Sequence, residues 1–238
     1  MNGNRKKSQS KVLRGIVITL LSLAVLITLL SAGGTICVAF GAEKFEKMAS
    51  LIPYKPLYQA FVVIGLGTGI WGIAVIRSIF RGGPKVYRNA LLVLIIGAVS
   101  AGIQMTVSQM VRGNSAPVNV RFYITLFTLA VFLLLRMPPA RNRIDFTQPG
   151  KGGSSAKASA ATALFMCGII TLTTRLWTGT THITSSGYNW INGFELPLNV
   201  AGLSMIIAGA IFFSAALCPL RKCGRVEKKL HSSPGRLI

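Results

Sequence analysis

Charge in this chain comes in bursts. Six stretches contain no Asp, Glu, Lys or Arg: Gly15–Ala42, Pro56–Ile76, Asn89–Val111, Phe122–Leu135, Ala158–Thr174 and Leu196–Leu220. They run 28, 21, 23, 14, 17 and 25 residues. A helix needs about 20 apolar residues to cross the hydrocarbon core of a bilayer, with roughly 17–25 tolerated. The pattern predicts an all-α fold: a polytopic integral membrane protein, a bundle of six transmembrane helices with no soluble domain. The spans are expected near 15–40, 57–77, 89–111, 117–136, 159–176 and 198–218. A basic N-terminal segment (1–14) and a basic tail (221–238) flank the 15–220 bundle. The fourth span reaches crossing length only if Arg121 lies inside its helix.

Composition agrees with a lipid solvent. Of 238 residues 51% are hydrophobic and 13% charged, where a soluble domain would hold about 25% charged residues. The net charge of +21 would suggest nucleic acid in a soluble protein. Here the cations are sorted by side instead. With the N-terminus in the cytoplasm, the inner segments hold five, four, five and six Lys or Arg, and the outer segments three, two and one. The positive-inside rule therefore predicts both termini in the cytoplasm, in the inner (plasma) membrane of a prokaryote. The basic inner segments suit anionic lipid headgroups, so a membrane surface is the expected partner of the charge and nucleic acid is not. The first span is too long for the usual apolar region of a signal peptide, about 7–15 residues, and is expected to stay uncleaved.

No motif in the chain names a reaction. Gly67-Thr-Gly69-Ile-Trp71-Gly72 matches a dinucleotide fingerprint in letters only, because it falls inside a span rather than between a strand and a soluble helix. Its physical meaning is close packing. Small residues four apart let helix backbones approach in lipid. Gly65 and Gly69, Ala98 and Gly102, and Ser204 and Ala208 have this spacing, with Gly72 three residues further along span two, which makes spans two, three and six the expected interior helices. Haem ligation needs paired ligands, and the two histidines, His182 and His231, fall on opposite sides. Cys218 and Cys223 lack the further ligands a zinc site requires. No metal or cofactor is expected, and no catalytic residue stands out.

One polar constellation remains. On span three, Gln104, Ser108 and Arg112 share a face with Gly97 and Ala101. Thr171, Thr174 and Arg175 lie along span five with Cys167. Arg121 is about 5 residues into span four, roughly 7 Å below its start, and Asn199 opens span six. His182 and Glu195 hang in the long loop Trp177–Pro197. All are expected in the outer leaflet, as a ligand-binding pocket for an anionic headgroup, a quinone or an acidic side chain of a partner. Snorkelling of the arginines to the headgroups is the alternative.

The expected function is that of an accessory or structural subunit, or scaffold, of a membrane complex, with a possible protein partner docking on the Gly-rich faces. A carrier or channel for a small anionic or amphipathic solute is the first alternative, and an enzyme acting on lipid or quinone the second. The loop Met137–Lys157, with its prolines and Gly-Ser run, is expected to be a flexible linker, and the tail after Arg221 to fray.

Overall fold

A computed structural model describes the backbone of residues 11–137, 144, 146–148, 153–179, 182–184 and 186–231, and side chains over these residues except 11–12, 46, 153–155, 177 and 217–231. Among the described residues six helices of 17 residues or more dominate. They are α1 (Lys11–Gly41), α2 (Lys55–Arg81), α3 (Val86–Arg112), α4 (Val118–Leu134), α5 (Gly153–Leu172) and, after two short helices α6 (Thr174–Thr178) and α7 (Trp190–Gly193), α8 (Glu195–His231). Four segments, Leu13–Lys44, Lys47–Arg81, Val86–Arg112 and Glu195–Ala216, are long and apolar enough to cross a membrane. Two shorter apolar helices, Val118–Leu134 and Ala156–Leu172, accompany them. The fold is all-α, and its four long apolar helices suggest a multi-pass membrane protein.

Helix ends follow local chemistry. Gly82 and Gly113 terminate α2 and α3 at positive φ, 77° and 66°, conformations that favour glycine. Before α4 the Asn114 side chain accepts from the Ala116 amide (2.9 Å), and the Ser115 carbonyl accepts from Val118 (2.9 Å). The helix then opens at Val118, one residue after Pro117, so Arg121 lies in its first turn. At 17 residues, α4 is about 25 Å long.

Helices α1, α2, α3 and α4 form a ring: α1 packs on α2 and α4, and α3 on α2 and α4. Helix α5 lies outside on α1, and α8 lies on α5. The α1–α2 seam is set by glycine. A methyl group at Gly65 would stand 2.9 Å from Ala32 Cβ, and methyls at Gly69 and Gly72 would overlap the side chains of Leu29 and Val25. Gly102 faces Phe122 of α4, where an added Cβ would meet the ring at 3.1 Å, and Ala98 is buried.

The sixth helix departs from expectation. Ser204 is exposed and Ala208 half-buried. The close approach of α8 to α5 runs instead through Gly202 and Gly209, opposite Gly168, Leu172 and Phe165. Most of α8 is uncovered, with Leu196, Val200, Leu203, Ile207 and Ile211 all more than half exposed. Among the long helices α8 packs mainly on α5, whereas α2 and α3 each pack on two neighbours and keep an exposed outer face, at Val63 and Ile70 and at Val99 and Met110.

Two apolar clusters fill the ring. One joins Val17, Leu21, Val75, Ile79, Val86, Leu94 and Phe132 at the end where α1 and α3 begin and α2 and α4 finish. The other joins Val38, Phe45, Met48, Leu51, Tyr58 and Phe61 at the opposite end. There the 3-10 segment Glu46–Tyr54 and the loop around Trp190 form a cap. Phe45 bridges Thr184, Trp190 meets Phe45 edge-on at 6.0 Å and stacks on Phe194 at 5.7 Å, and the Lys44 ammonium lies 5.8 Å from the Trp190 ring centre.

Part of the expected linker is docked rather than free. Phe146 stacks with Tyr87 and Phe132, Ile144 packs beside them, and the Gly83 amide donates to the Phe146 carbonyl (3.2 Å). Apolar residues outweigh the turn-forming composition at these positions. Pro138, Pro139, Pro149 and residues 150–152 lie outside the described residues. The tail continues α8 through residues 221–231, where Lys, Arg, Leu and Glu are good helix formers; residues 232–238 lie outside the described part.

Candidate functional site

The largest fully buried side chain among the described residues is that of Arg121, 1% exposed. Its Nη2 donates to Ser100 Oγ (2.9 Å), and its Nη1 makes a longer contact with Gln104 Oε1 (3.4 Å). Gln104, also 1% exposed, donates through Nε2 to Thr35 Oγ1 of α1 (2.9 Å). One turn towards the cap, Tyr58 and Ser108 hydroxyls bond at 2.6 Å. Helix α3 is thus tied by side chains to the other three helices of the ring, to its neighbours α2 through Ser108 and α4 through Ser100, and across the ring to α1 through Gln104.

This layer lies deeper than the sequence predicts. Ser100 stands near the middle of α3, about 18 Å from its last residue at 1.5 Å per residue. The long arginine side chain carries its charge from the first turn of α4 to mid-height of the bundle. Snorkelling does not describe Arg121, because its side chain is enclosed and faces α3. Gly65 lies beside it: an added Cβ there would touch Nη1 at an ordinary contact distance, 3.7 Å.

The remaining predicted residues are elsewhere. Arg112 is half-buried under the cap, near enough to Tyr58 and His182 to act on both electrostatically. His182 meets Phe45 edge-on at 5.4 Å, and its Nδ1 faces the Thr178 carbonyl at 3.1 Å. Arg175 pairs with Glu195 at 3.3 Å, both side chains being more than half exposed. Such a pair contributes about 0–1 kcal/mol. Thr171 is buried but bonds the Cys167 carbonyl of its own helix (2.8 Å), Thr174 likewise bonds Ile170 (3.1 Å), and Asn199 is exposed. The structure brings Gln104 and Arg121 together, places Ser108 one turn away, and separates these from the cap residues Arg112 and His182 and from the exposed Arg175, Glu195 and Asn199.

Sequence reasoning missed Ser31, Thr35, Tyr58 and Ser100. Ser31 and Thr35 stand four apart on α1, and Ser100 and Gln104 four apart on α3. Paired polar residues at helical spacing were the available signal.

Burial lowers the His182 pKa below its ordinary 6.5, and the Arg112 charge pushes the same way, against the bond to the Thr178 carbonyl. The folded protein therefore binds this proton less readily than the unfolded chain. The contribution of neutral His182 is fully present above pH 6.5 and is lost as pH falls through its lower folded value. Acidification is expected to loosen the cap. The Trp190 amide, which donates to the His182 carbonyl (3.0 Å), should lose hydrogen-exchange protection, corrected for intrinsic rates, in that window. His182→Gln should remove the pH dependence; unchanged protection in the native protein down to pH 5 would contradict the assignment.

Compared with protein-family models, with curated proteins and with solved structures, the chain matches none of them.

Proposed function

We propose that the protein is an integral accessory or structural subunit, or scaffold, of a membrane complex. In this reading six helices span the inner membrane, both termini are cytoplasmic, and the basic inner segments rest on anionic headgroups. One observation carries the reading: the polar side chains of the ring are engaged with one another. Arg121–Ser100, Gln104–Thr35 and Tyr58–Ser108 connect four helices, which is how polar residues hold a bundle together in lipid. The enzyme reading loses support from the same geometry, since Arg121, Arg175 and His182 lie in three different places.

A docking face is available on α1. Gly33 and Gly34 are exposed, and an added Cβ would meet nothing within 4 Å at either. A partner helix could approach closely there. Native purification followed by mass spectrometry tests the reading. A membrane protein retained at fixed stoichiometry, and released by the pair Gly33→Leu and Gly34→Leu without a fall in thermal midpoint, is the expected result. A monodisperse protein that on its own moves an anionic solute into liposomes would overturn it in favour of a carrier.

A further inference from the structure

The two ends of the ring are closed in different ways. At the end where α2 and α4 begin, the cap puts whole side chains into the core: Phe45, Met48 and Leu51 are 4%, 2% and 0% exposed. At the other end the cover is a short piece of the chain between α4 and α5, carrying Ile144, Phe146 and Gln148. Its apolar side chains, Ile144 and Phe146, are only half-buried, and Thr147 and Gln148 are exposed. The cluster they pack against holds Val17, Ile79, Ala90 and Phe132, all fully enclosed.

This short piece reaches all four ring helices. The Phe146 ring stacks on Tyr87 of α3 at 6.0 Å and on Phe132 of α4 at 6.3 Å, and those two rings stack on each other at 6.2 Å. The Phe146 carbonyl accepts from the Gly83 amide, in the turn that leaves α2 (3.2 Å). The Gln148 carbonyl accepts from Arg14 Nη2 of α1 (3.0 Å), and the same nitrogen donates to the Ile79 carbonyl of α2 (2.6 Å). Arg14 therefore keeps an acceptor on α2 when Gln148 leaves. In sequence the piece lies between Pro138-Pro139 and Pro149-Gly150, residues that do not propagate a helix. Its departure does not require α4 or α5 to unwind.

We propose that the segment carrying Ile144, Phe146 and Gln148 is a detachable latch on the four-helix ring. Seated, it holds together the ends of α1, α2, α3 and α4 through one stacked aromatic ring and two backbone carbonyls. Released, it uncovers that end while the rest of the bundle, cap included, stays folded. Elements with few buried apolar contacts open locally at a smaller free-energy cost than the whole domain, and the latch is the shallower of the two covers. The device belongs to the ring itself, so it depends neither on a partner in a complex nor on which way the bundle faces.

The test uses purified full-length protein in detergent micelles, its four cysteines replaced by alanine. A single reporter is introduced by Val86→Cys, in the cluster below the latch, or by Val38→Cys, in the cluster below the cap; the two valines are 4% and 7% exposed. The rate of maleimide labelling is measured at each. Phe146→Ala is expected to speed labelling at 86 about tenfold, the size expected for the loss of two stacked-ring contacts. Labelling at 38, a distant site, should stay within about twofold. Phe146→Tyr, which keeps the ring, should leave both rates slow. With Phe146 in place, labelling at 86 should rise less steeply with urea than labelling at 38, because a local opening exposes little surface. This last comparison stands even should Phe146→Ala fail to fold. Equal acceleration at both sites, no acceleration at 86, or equal urea slopes would each overturn the latch.

Discussion

Gly69→Leu is expected to lower the thermal midpoint substantially. At this position an added Cβ would overlap the Leu29 side chain and stand 2.6 Å from its Cγ. Both residues lie on helices that carry much of the ring, so neither backbone can retreat without opening the packing around Val25 and Ala32. Forcing extra methylenes into a filled core costs about 1–3 kcal/mol, and a whole leucine side chain belongs at or beyond the upper end. Gly67→Leu, two residues away, supplies the control. Gly67 is exposed, nothing lies within 4 Å of its added Cβ, and leucine is the better helix former. Its effect should stay within about 0.5 kcal/mol. Thermal melts of both variants in the same detergent decide the matter, and equal losses would mean that the seam does not lie where Gly69 faces Leu29.

Arg121→Lys has the second large expected effect. The guanidinium reaches Ser100 with one nitrogen and approaches Gln104 with another. Lysine keeps the charge but concentrates it at one point on a shorter, unforked side chain. It can satisfy one acceptor at most, leaving the other buried and unpaired at a cost of about 1–3 kcal/mol. A fall in stability of about that size is expected, together with looser pairing of α3 and α4. A double-mutant cycle with Ser100→Ala separates the bond from general strain. The Arg121→Lys penalty should shrink markedly in the Ser100→Ala background. A full, additive penalty would mean that the Ser100 contact contributes nothing.

These two positions also show what a reader of the sequence could and could not see. The helices were legible because lipid tolerates so little charge that the Lys and Arg mark the ends, and α2 and α3 begin and end within a few residues of their basic flanks. The seam on α2 was legible because Gly65, Gly69 and Gly72 repeat at helical spacing. Its partner was not, since Ala32, Leu29 and Val25 are ordinary residues of an apolar helix. The α5–α8 seam escaped notice because Gly202 and Gly209 stand seven apart, Gly202 facing Gly168 and Leu172 and Gly209 facing Ala161 and Phe165. Of the pair at the favoured spacing, Ser204 is exposed and Ala208 half-buried.

The polar residues divide along similar lines. Gln104, Ser108 and Arg121 stood out as polar exceptions within apolar stretches. Ser31 and Thr35 did not, because a hydroxyl in a membrane helix is usually satisfied by its own backbone, as Thr35 is by the Ser31 carbonyl at 2.7 Å. Depth was the harder quantity. Counting residues locates the Arg121 backbone in the first turn of α4, but the side chain alone decides whether the charge rises to the headgroups or descends to Ser100. The docking of Phe146 on Tyr87 and Phe132 was hidden for a related reason: one aromatic residue in a Gly- and Pro-rich segment gives no periodic signal.

The orientation of the bundle in its membrane is the claim on which the rest of the account depends, and thiol labelling in intact cells tests it most directly. With Cys37, Cys167 and Cys218 replaced by serine, two single-cysteine proteins are compared: one carrying Ser186→Cys with Cys223 also removed, the other keeping Cys223. Ser186 lies exposed in the loop between α6 and α7, and Cys223 lies beyond the apolar part of α8, Glu195–Ala216. The account predicts that an impermeant maleimide modifies the cysteine at 186 in intact cells and reaches Cys223 only after the membrane is opened. Labelling of Cys223 from outside, with the cysteine at 186 protected, would contradict it.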